Sequence, residues 1–294
     1  MLFYGLPIHN ILHIVIKMSM VKEQIQFNKK EALRYYRADP EDAVAEAVID
    51  AAYKKLKSEL QPRYTVKRFA CRALSEKELL QSGQKPASEK TPQNKTDNVP
   101  LFVLLDNGTV FRSKALARYV GEAKELLLFG ATLGSRVDIA LRRMALTSVA
   151  EAGAGQAVAA ALIETYCDDC CAELQKQLPE GKKLKWRFSP GYGDWALEEQ
   201  KILFPVLDCA HTIGLTLTES CMMVPVKSVT AVMAIADTPE SIGGEETDET
   251  TDTKENALGE FNCNQKITEI RNLFSISDNK CLRCSKTDCE FRKK

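Results

Sequence analysis

An arginine, a Pro-Gly turn and a tyrosine fall within six positions at Arg187-Phe188-Ser189-Pro190-Gly191-Tyr192, with Gly193 and Asp194 directly after. A guanidinium grips a carboxylate through two parallel hydrogen bonds, which an ammonium does less well. Pro190-Gly191 sets a sharp turn and lets backbone N–H groups approach a ligand with no Cβ in the way. Tyr192 offers a ring to stack on a heterocycle and a hydroxyl to donate. Together these residues suit a small, anionic, partly aromatic ligand. The same run also suits an arginine in a surface ion pair followed by an ordinary turn.

A second cluster lies near the C-terminus. Cys281-x2-Cys284-x4-Cys289, with Cys263 upstream, could supply four thiolates to one soft metal. The neighbouring Lys280, Arg283 and Lys286 favour thiolates. The spacing does not choose between zinc and an iron–sulfur cluster, and a tail of free thiols is the other reading. Cys167, Cys170 and Cys171 share one helix face and read as packed thiols. His211, in Asp208-Cys209-Ala210-His211, superficially matches a cobalamin-ligand motif, but its Asp–His spacing is one residue too long. It reads instead as a helix-end residue. Only three histidines occur and none sits in a triad-like setting, which argues against a hydrolase.

The forty basic and forty acidic residues cancel, which argues against a nucleic-acid or membrane-surface binder. The chain nevertheless turns acidic from Asp237 to Glu260 and basic from Cys263 to Lys294. Ten cysteines without a signal peptide fit a reducing compartment and a cytoplasmic location. The apolar run Leu2–Ile16 lacks a basic flank and a cleavage site and is too short to span a bilayer, so residues 1–20 read as an N-terminal extension.

Periodicity places the elements. Asp39-Pro40 opens a helix whose stripe is Val44, Val48, Ile49, Ala52, Tyr53, Leu56 and Leu60. Tyr64–Leu74 reads as a strand, and Ser75–Glu78 as a capping box. Residues 81–100 are too polar to bury surface and read as a disordered insertion. Leu101–Leu105 and Thr109–Phe111 form two strands across Asp106-Asn107-Gly108. Leu126–Phe129 is a buried strand leading through Gly130 and Gly134 to a helix from Arg136. Val149–Leu178 is helical, with Gly153 and Gly155 marking a kink or a boundary. Strands at Leu184–Phe188, Leu215–Thr218 and Ser228–Ile235 and a helix at Leu197–Leu207 complete the pattern. The fold class is α+β, a mixed, largely antiparallel sheet with packed helices. The core spans 21–237, followed by an acidic linker (238–262) and a flexible Cys-rich tail (263–294).

Three runs carry a resemblance: Arg187–Gly193, Leu217-Thr218-Glu219-Ser220, and Met223-x-Pro225-x-x-Ser228-Val229. They resemble the reactivation domain of cobalamin-dependent methionine synthase, which binds S-adenosylmethionine. The resemblance covers roughly residues 29–235 and is strongest from Gly130 onward. It implies that Arg187 and Tyr192 contact the ligand and that Glu164, in the preceding helix, is a third contact. Phe188 and Gly191, in the same run, are counted with them as candidate binding residues. Glu164 sits among apolar neighbours and needs a partner if buried, which a ligand or Arg187 could supply. Beyond Ile235 the chain departs from the family, and an N-terminal Asp contact has no counterpart.

The chain is more similar to free-standing relatives that serve synthases lacking a fused reactivation domain. The resemblance thus implies an accessory component of a methyltransferase, incomplete alone, with cobalamin carried by the partner synthase and help from a flavodoxin-type reductant. Alternatives are a non-catalytic metal-binding adaptor module and a reactivator of another corrinoid methyltransferase.

Overall fold

The apolar run at Leu126–Phe129 becomes the middle of a sheet. In the computed structural model, which describes residues 25–84 and 101–238, it lies in strand β4 (Glu125–Thr132), buried from its second residue to its last. The extension 1–20, the insertion beyond Gln84, the linker beyond Thr238 and the tail with Cys263, Cys281, Cys284 and Cys289 lie outside the described residues. β4 is flanked by β1 (Arg63–Leu74) and β8 (Ser228–Asp237). Outside β1 come β2 (Phe102–Leu105) and β3 (Val110–Arg112), and outside β8 comes β5 (Lys182–Leu184). The order is β3-β2-β1-β4-β8-β5, and every pairing among these strands is antiparallel. The α+β reading therefore holds, with no parallel pair in the six-stranded sheet.

Strand side chains alternate between faces, and each face is covered. Leu127, Phe129, Ala131, Met233 and Ile235 meet one layer. It contains α1 (Lys29–Tyr36), α2 (Ala43–Lys57), α5 (Ser135–Thr147) and α6 (Val149–Lys176). Leu126, Leu128, Val232 and Ala234 meet the other, built from α4 (Lys114–Val120), α7 (Gln200–Leu207) and α8 (Cys209–Ile213). α3 (Glu76–Gln81) closes β1 through the expected capping box, in which Ser75 and Glu78 satisfy each other's backbone N–H. A fully buried Leu or Phe contributes roughly 1.5–3 kcal/mol, so two such layers dominate the stability. Burying both faces explains why β4 reads as a continuous apolar run instead of an alternating one.

Several boundaries differ from the sequence expectation. α1 precedes the helix read from Asp39; its sequence KKEALRYY buries only Ala32 and Leu33, too few to show a stripe. Asp39 instead accepts from the Glu41 N–H in a local turn, and Asp42 caps α2. Val44 is correspondingly exposed. α6 runs unbroken through both glycines. A Cβ at Gly155 would stand 2.9 Å from Met144 Cε and 3.0 Å from Leu141 Cδ2, so this glycine serves close packing against α5 and not a kink. The 215–218 region forms β6 (Thr216–Leu217), which pairs with β7 (Met223–Val224) apart from the main sheet.

Candidate functional site

The edge strand that carries Arg187 is not regular. Leu184 pairs with Ile235, and Phe188 bridges Val232. Three residues, Lys185 to Arg187, therefore face two, Met233 and Ala234, which defines a β-bulge with one extra residue on the outer strand. The extra residue reverses the alternation. Leu184 joins the α6 layer, whereas Phe188 joins the opposite one. Arg187 faces α6.

Arg187 is 1% exposed. Its Nη2 donates to Glu164 Oε2 at 2.7 Å, and its Nη1 to Asp168 Oδ1 at 2.7 Å and Cys171 Sγ at 3.5 Å. Glu164 and Asp168 lie four residues apart, hence one above the other on α6. Both carboxylates keep about a third of their exposure, at 34% and 32%. Burial alone would disfavour the charge on Arg187, but Cys171, Cys167, Asp168 and Glu164 around it more than offset that, and its pKa is pushed upward. The Nε of Arg187 is buried without a partner. The guanidinium is thus held by two acids whose outer sides reach the surface. It is not the free clamp that the sequence suggested.

Beyond Phe188 the chain turns sharply. Tyr192 N–H donates to Ser189 C=O at 3.0 Å, Trp195 N–H to Tyr192 C=O at 3.0 Å, and Gly191 N–H to Trp195 C=O at 2.7 Å. Gly191 and Gly193 both take positive φ, at 95° and 57°. A Cβ at Gly193 would lie 2.8 Å from the Ala115 Cβ. The turn is pinned to α4 by Asp194, which accepts from Ser113 Oγ (2.5 Å), Ala115 N–H (2.8 Å) and Lys114 N–H (3.0 Å). Burial pushes the Asp194 pKa up, but those hydrogen bonds outweigh it, and the carboxyl sits below its usual range. Behind the turn the buried Glu199 accepts from the Arg112 N–H (3.2 Å) and Trp195 Nε1 (3.4 Å). Burial raises its pKa despite these bonds.

Tyr192 is 40% exposed and meets Phe188 edge-on, with ring centroids 5.9 Å apart. Phe188 itself stacks on Tyr119 and Trp195. Tyr192 therefore belongs with the Phe188 side of the strand and Arg187 with the α6 side. The sequence residues divide into two groups: Glu164 with Arg187, and Phe188, Gly191 and Tyr192 in the turn. A ligand reaching both groups would lie across the sheet's edge. Asp168 is a further member that sequence reasoning missed, although its spacing of four from Glu164 carried the signal. The expected packing of Cys167, Cys170 and Cys171 is found; all are buried, and burial pushes the Cys167 and Cys170 thiols well up. His211 lies exposed on α8, paired with Asp208 at 2.6 Å. Among the described residues no group of three or more His, Cys, Asp or Glu could hold a metal ion.

A family model matches the segment from the last turns of α6 through the bulge and the turn to β8. Residues 165–243 match the family model described as vitamin B12 dependent methionine synthase, activation domain. The chain resembles that activation domain. Among solved structures, one described as the crystal structure of the MetH reactivation domain bound to AdoHcy is similar over 82% of this chain and 79% of that chain, at 16% identity and a TM-score of 0.43. No curated protein matches. Among the described residues no helix is long and apolar enough to cross a membrane.

Proposed function

We propose that this chain is a stand-alone reactivation subunit for a cobalamin-dependent methionine synthase. It binds S-adenosylmethionine as methyl donor for the reductive methylation of cob(II)alamin carried by the partner. The observation that carries the reading is the family match over 165–243, which contains the Arg187–Gly193 turn.

The geometry supports it through charge. Glu164, Asp168 and Arg187 sum to one net negative charge, with the acids facing outward. S-adenosylmethionine carries an ammonium, a sulfonium and a carboxylate, for one net positive charge. The two carboxylates can receive the cationic groups, and the half-open ring of Tyr192 can stack on the adenine. The Nε–H of Arg187 is a donor for the ligand carboxylate once the ion pairs adjust. One electron reduces the cobalt, and the methyl group then passes from the sulfonium to it, leaving the neutral thioether. That displacement asks the protein for alignment and exclusion of water, and for no proton. Consistently, no histidine or cysteine of the turn is poised for proton transfer. The same reading places the chain in the cytoplasm beside a flavodoxin-type reductant.

Calorimetry tests the proposal. S-adenosylmethionine is expected to bind about tenfold more tightly than S-adenosylhomocysteine, a difference of about 1.4 kcal/mol, and added salt should narrow the gap. Absence of binding by the native chain, or binding unchanged in Arg187→Ala, would overturn it.

A further inference from the structure

The bulge that turns Arg187 toward α6 opens a gap in the strand ladder, and a side chain fills that gap. Lys185 N–H donates to Ala234 C=O at 2.8 Å, as in a regular antiparallel pair. The return bond, from Ala234 N–H to the edge strand, is missing. Instead the Ala234 N–H donates to Tyr119 Oη at 3.0 Å, and the Tyr119 hydroxyl donates to Trp186 C=O at 2.6 Å. One hydroxyl both accepts and donates, so it satisfies the two backbone groups that the extra residue has pulled apart. Tyr119 is 6% exposed, and burial pushes its phenol pKa upward, which keeps the hydroxyl proton available to donate.

The ring is held as firmly as the hydroxyl. It stacks on Phe188 at 5.0 Å and meets Trp186 edge-on at 4.7 Å. Lys185 Nζ donates to Tyr119 C=O at 2.9 Å and lies 5.7 Å from the ring centroid. Each of the four residues from Lys185 to Phe188, apart from Arg187, therefore touches Tyr119. Were the bulge ironed out with the chain unchanged, the register of Leu184 with Ile235 would continue and set Arg187 opposite Val232. Val232 belongs to the α4 layer. Arg187 would then point away from Glu164 and Asp168, and Trp186 would point at α6.

We infer that Tyr119 is a positioning residue of the site: its hydroxyl stands in for the lost ladder bond and fixes the bulge that aims Arg187 at α6. It touches no ligand-facing group of the Glu164–Arg187–Asp168 cluster and acts through the backbone. The ligand part of this inference rests on the proposed binding of S-adenosylmethionine; the orientation of Arg187 does not.

The test therefore has two readouts on Tyr119→Phe. The first needs no ligand. The Arg187 Nε–H, buried in the native chain, should give a slowly exchanging signal in proton–nitrogen spectra. Tyr119→Phe should lose that protection, whereas Ile49→Val, which thins the core on the far side of α6, should keep it. The second is affinity. Tyr119→Phe should bind S-adenosylmethionine at least about tenfold more weakly, and adding Arg187→Ala should weaken it no further, because the guanidinium is already misdirected. A signal that stays protected in Tyr119→Phe, or additive losses in the double variant, would overturn the inference. If the native chain bound no S-adenosylmethionine, the functional proposal would fail while the first readout still decided the role of Tyr119. Should Tyr119→Phe fail to fold, the native chain still decides: a slowly exchanging Tyr119 hydroxyl proton close to the Ala234 amide proton is required, and its absence would overturn the inference.

Discussion

Arg187 is a buried cation whose counter-charges are about a third exposed to water, and this asymmetry sets what its neighbours are worth. Removing the cation leaves two acids that can rehydrate; removing both acids strands a guanidinium inside the protein. Arg187→Met is thus expected to cost about 1 kcal/mol, and Glu164→Gln with Asp168→Asn about 3–5 kcal/mol, in urea melts. Equal costs would show that the burial is shared differently. A second expectation concerns the thiols. Burial pushes Cys71 and Cys209 up to about 12, and Cys167 and Cys170 well above their usual value. Iodoacetamide at neutral pH should spare these four in the native chain and label them after unfolding. At this scale the sequence was legible where spacing carries meaning: Glu164 needed a partner, and Arg187 supplies it. That the same guanidinium is already engaged was not legible, because helix α6 and the edge strand meet only in three dimensions.

The turn from Ser189 to Trp195 behaves as a docked element. Gly193→Ala would combine a positive φ with a 2.8 Å approach to Ala115, a strain of about 1–3 kcal/mol. It should lower the melting temperature and weaken ligand binding together. Asp194 gives a pH signature. Its folded pKa lies below the unfolded value, so its contribution is present above the ordinary aspartate range, about 4, and is lost as pH falls through the depressed value. Asp194→Asn should flatten that acid limb; an unchanged limb would remove Asp194 from the docking role. Glu199 works with the opposite sign, because burial raises its pKa. Its contribution is complete below the unfolded value and fades as pH rises through the folded one. The strands and the capping box could be read from apolar runs and local spacing. α1 could not, since its first turns are charged, and neither could the bulge, which leaves no compositional mark on Lys185-Trp186-Arg187.

For the whole molecule, the two helical layers and the antiparallel sheet follow from the alternation of apolar runs with helical stripes. The long-range ties did not, and Tyr119 illustrates why: its hydroxyl bonds backbone groups 67 and 115 residues away. The Cys-rich tail poses a separate question, and its metal site is a proposal resting on cysteine spacing. Zinc or iron should copurify with the full chain, and Cys284→Ser should lose it while S-adenosylmethionine binding is untouched. A metal-free native chain would leave those cysteines as thiols. If instead Cys284→Ser abolished partner capture with ligand binding intact, the adaptor reading would gain.

One supernumerary residue in the edge strand also changes what a substitution table can say about this protein. Between two fixed pairings, Leu184 with Ile235 and Phe188 with Val232, the length of the outer strand carries information that no single letter does. Excising Trp186 would make the two strands equal in length between those pairings and set Arg187 opposite Met233, still toward α6, so a chain one residue shorter would keep its charged centre and dispense with the hydroxyl that now spans the gap.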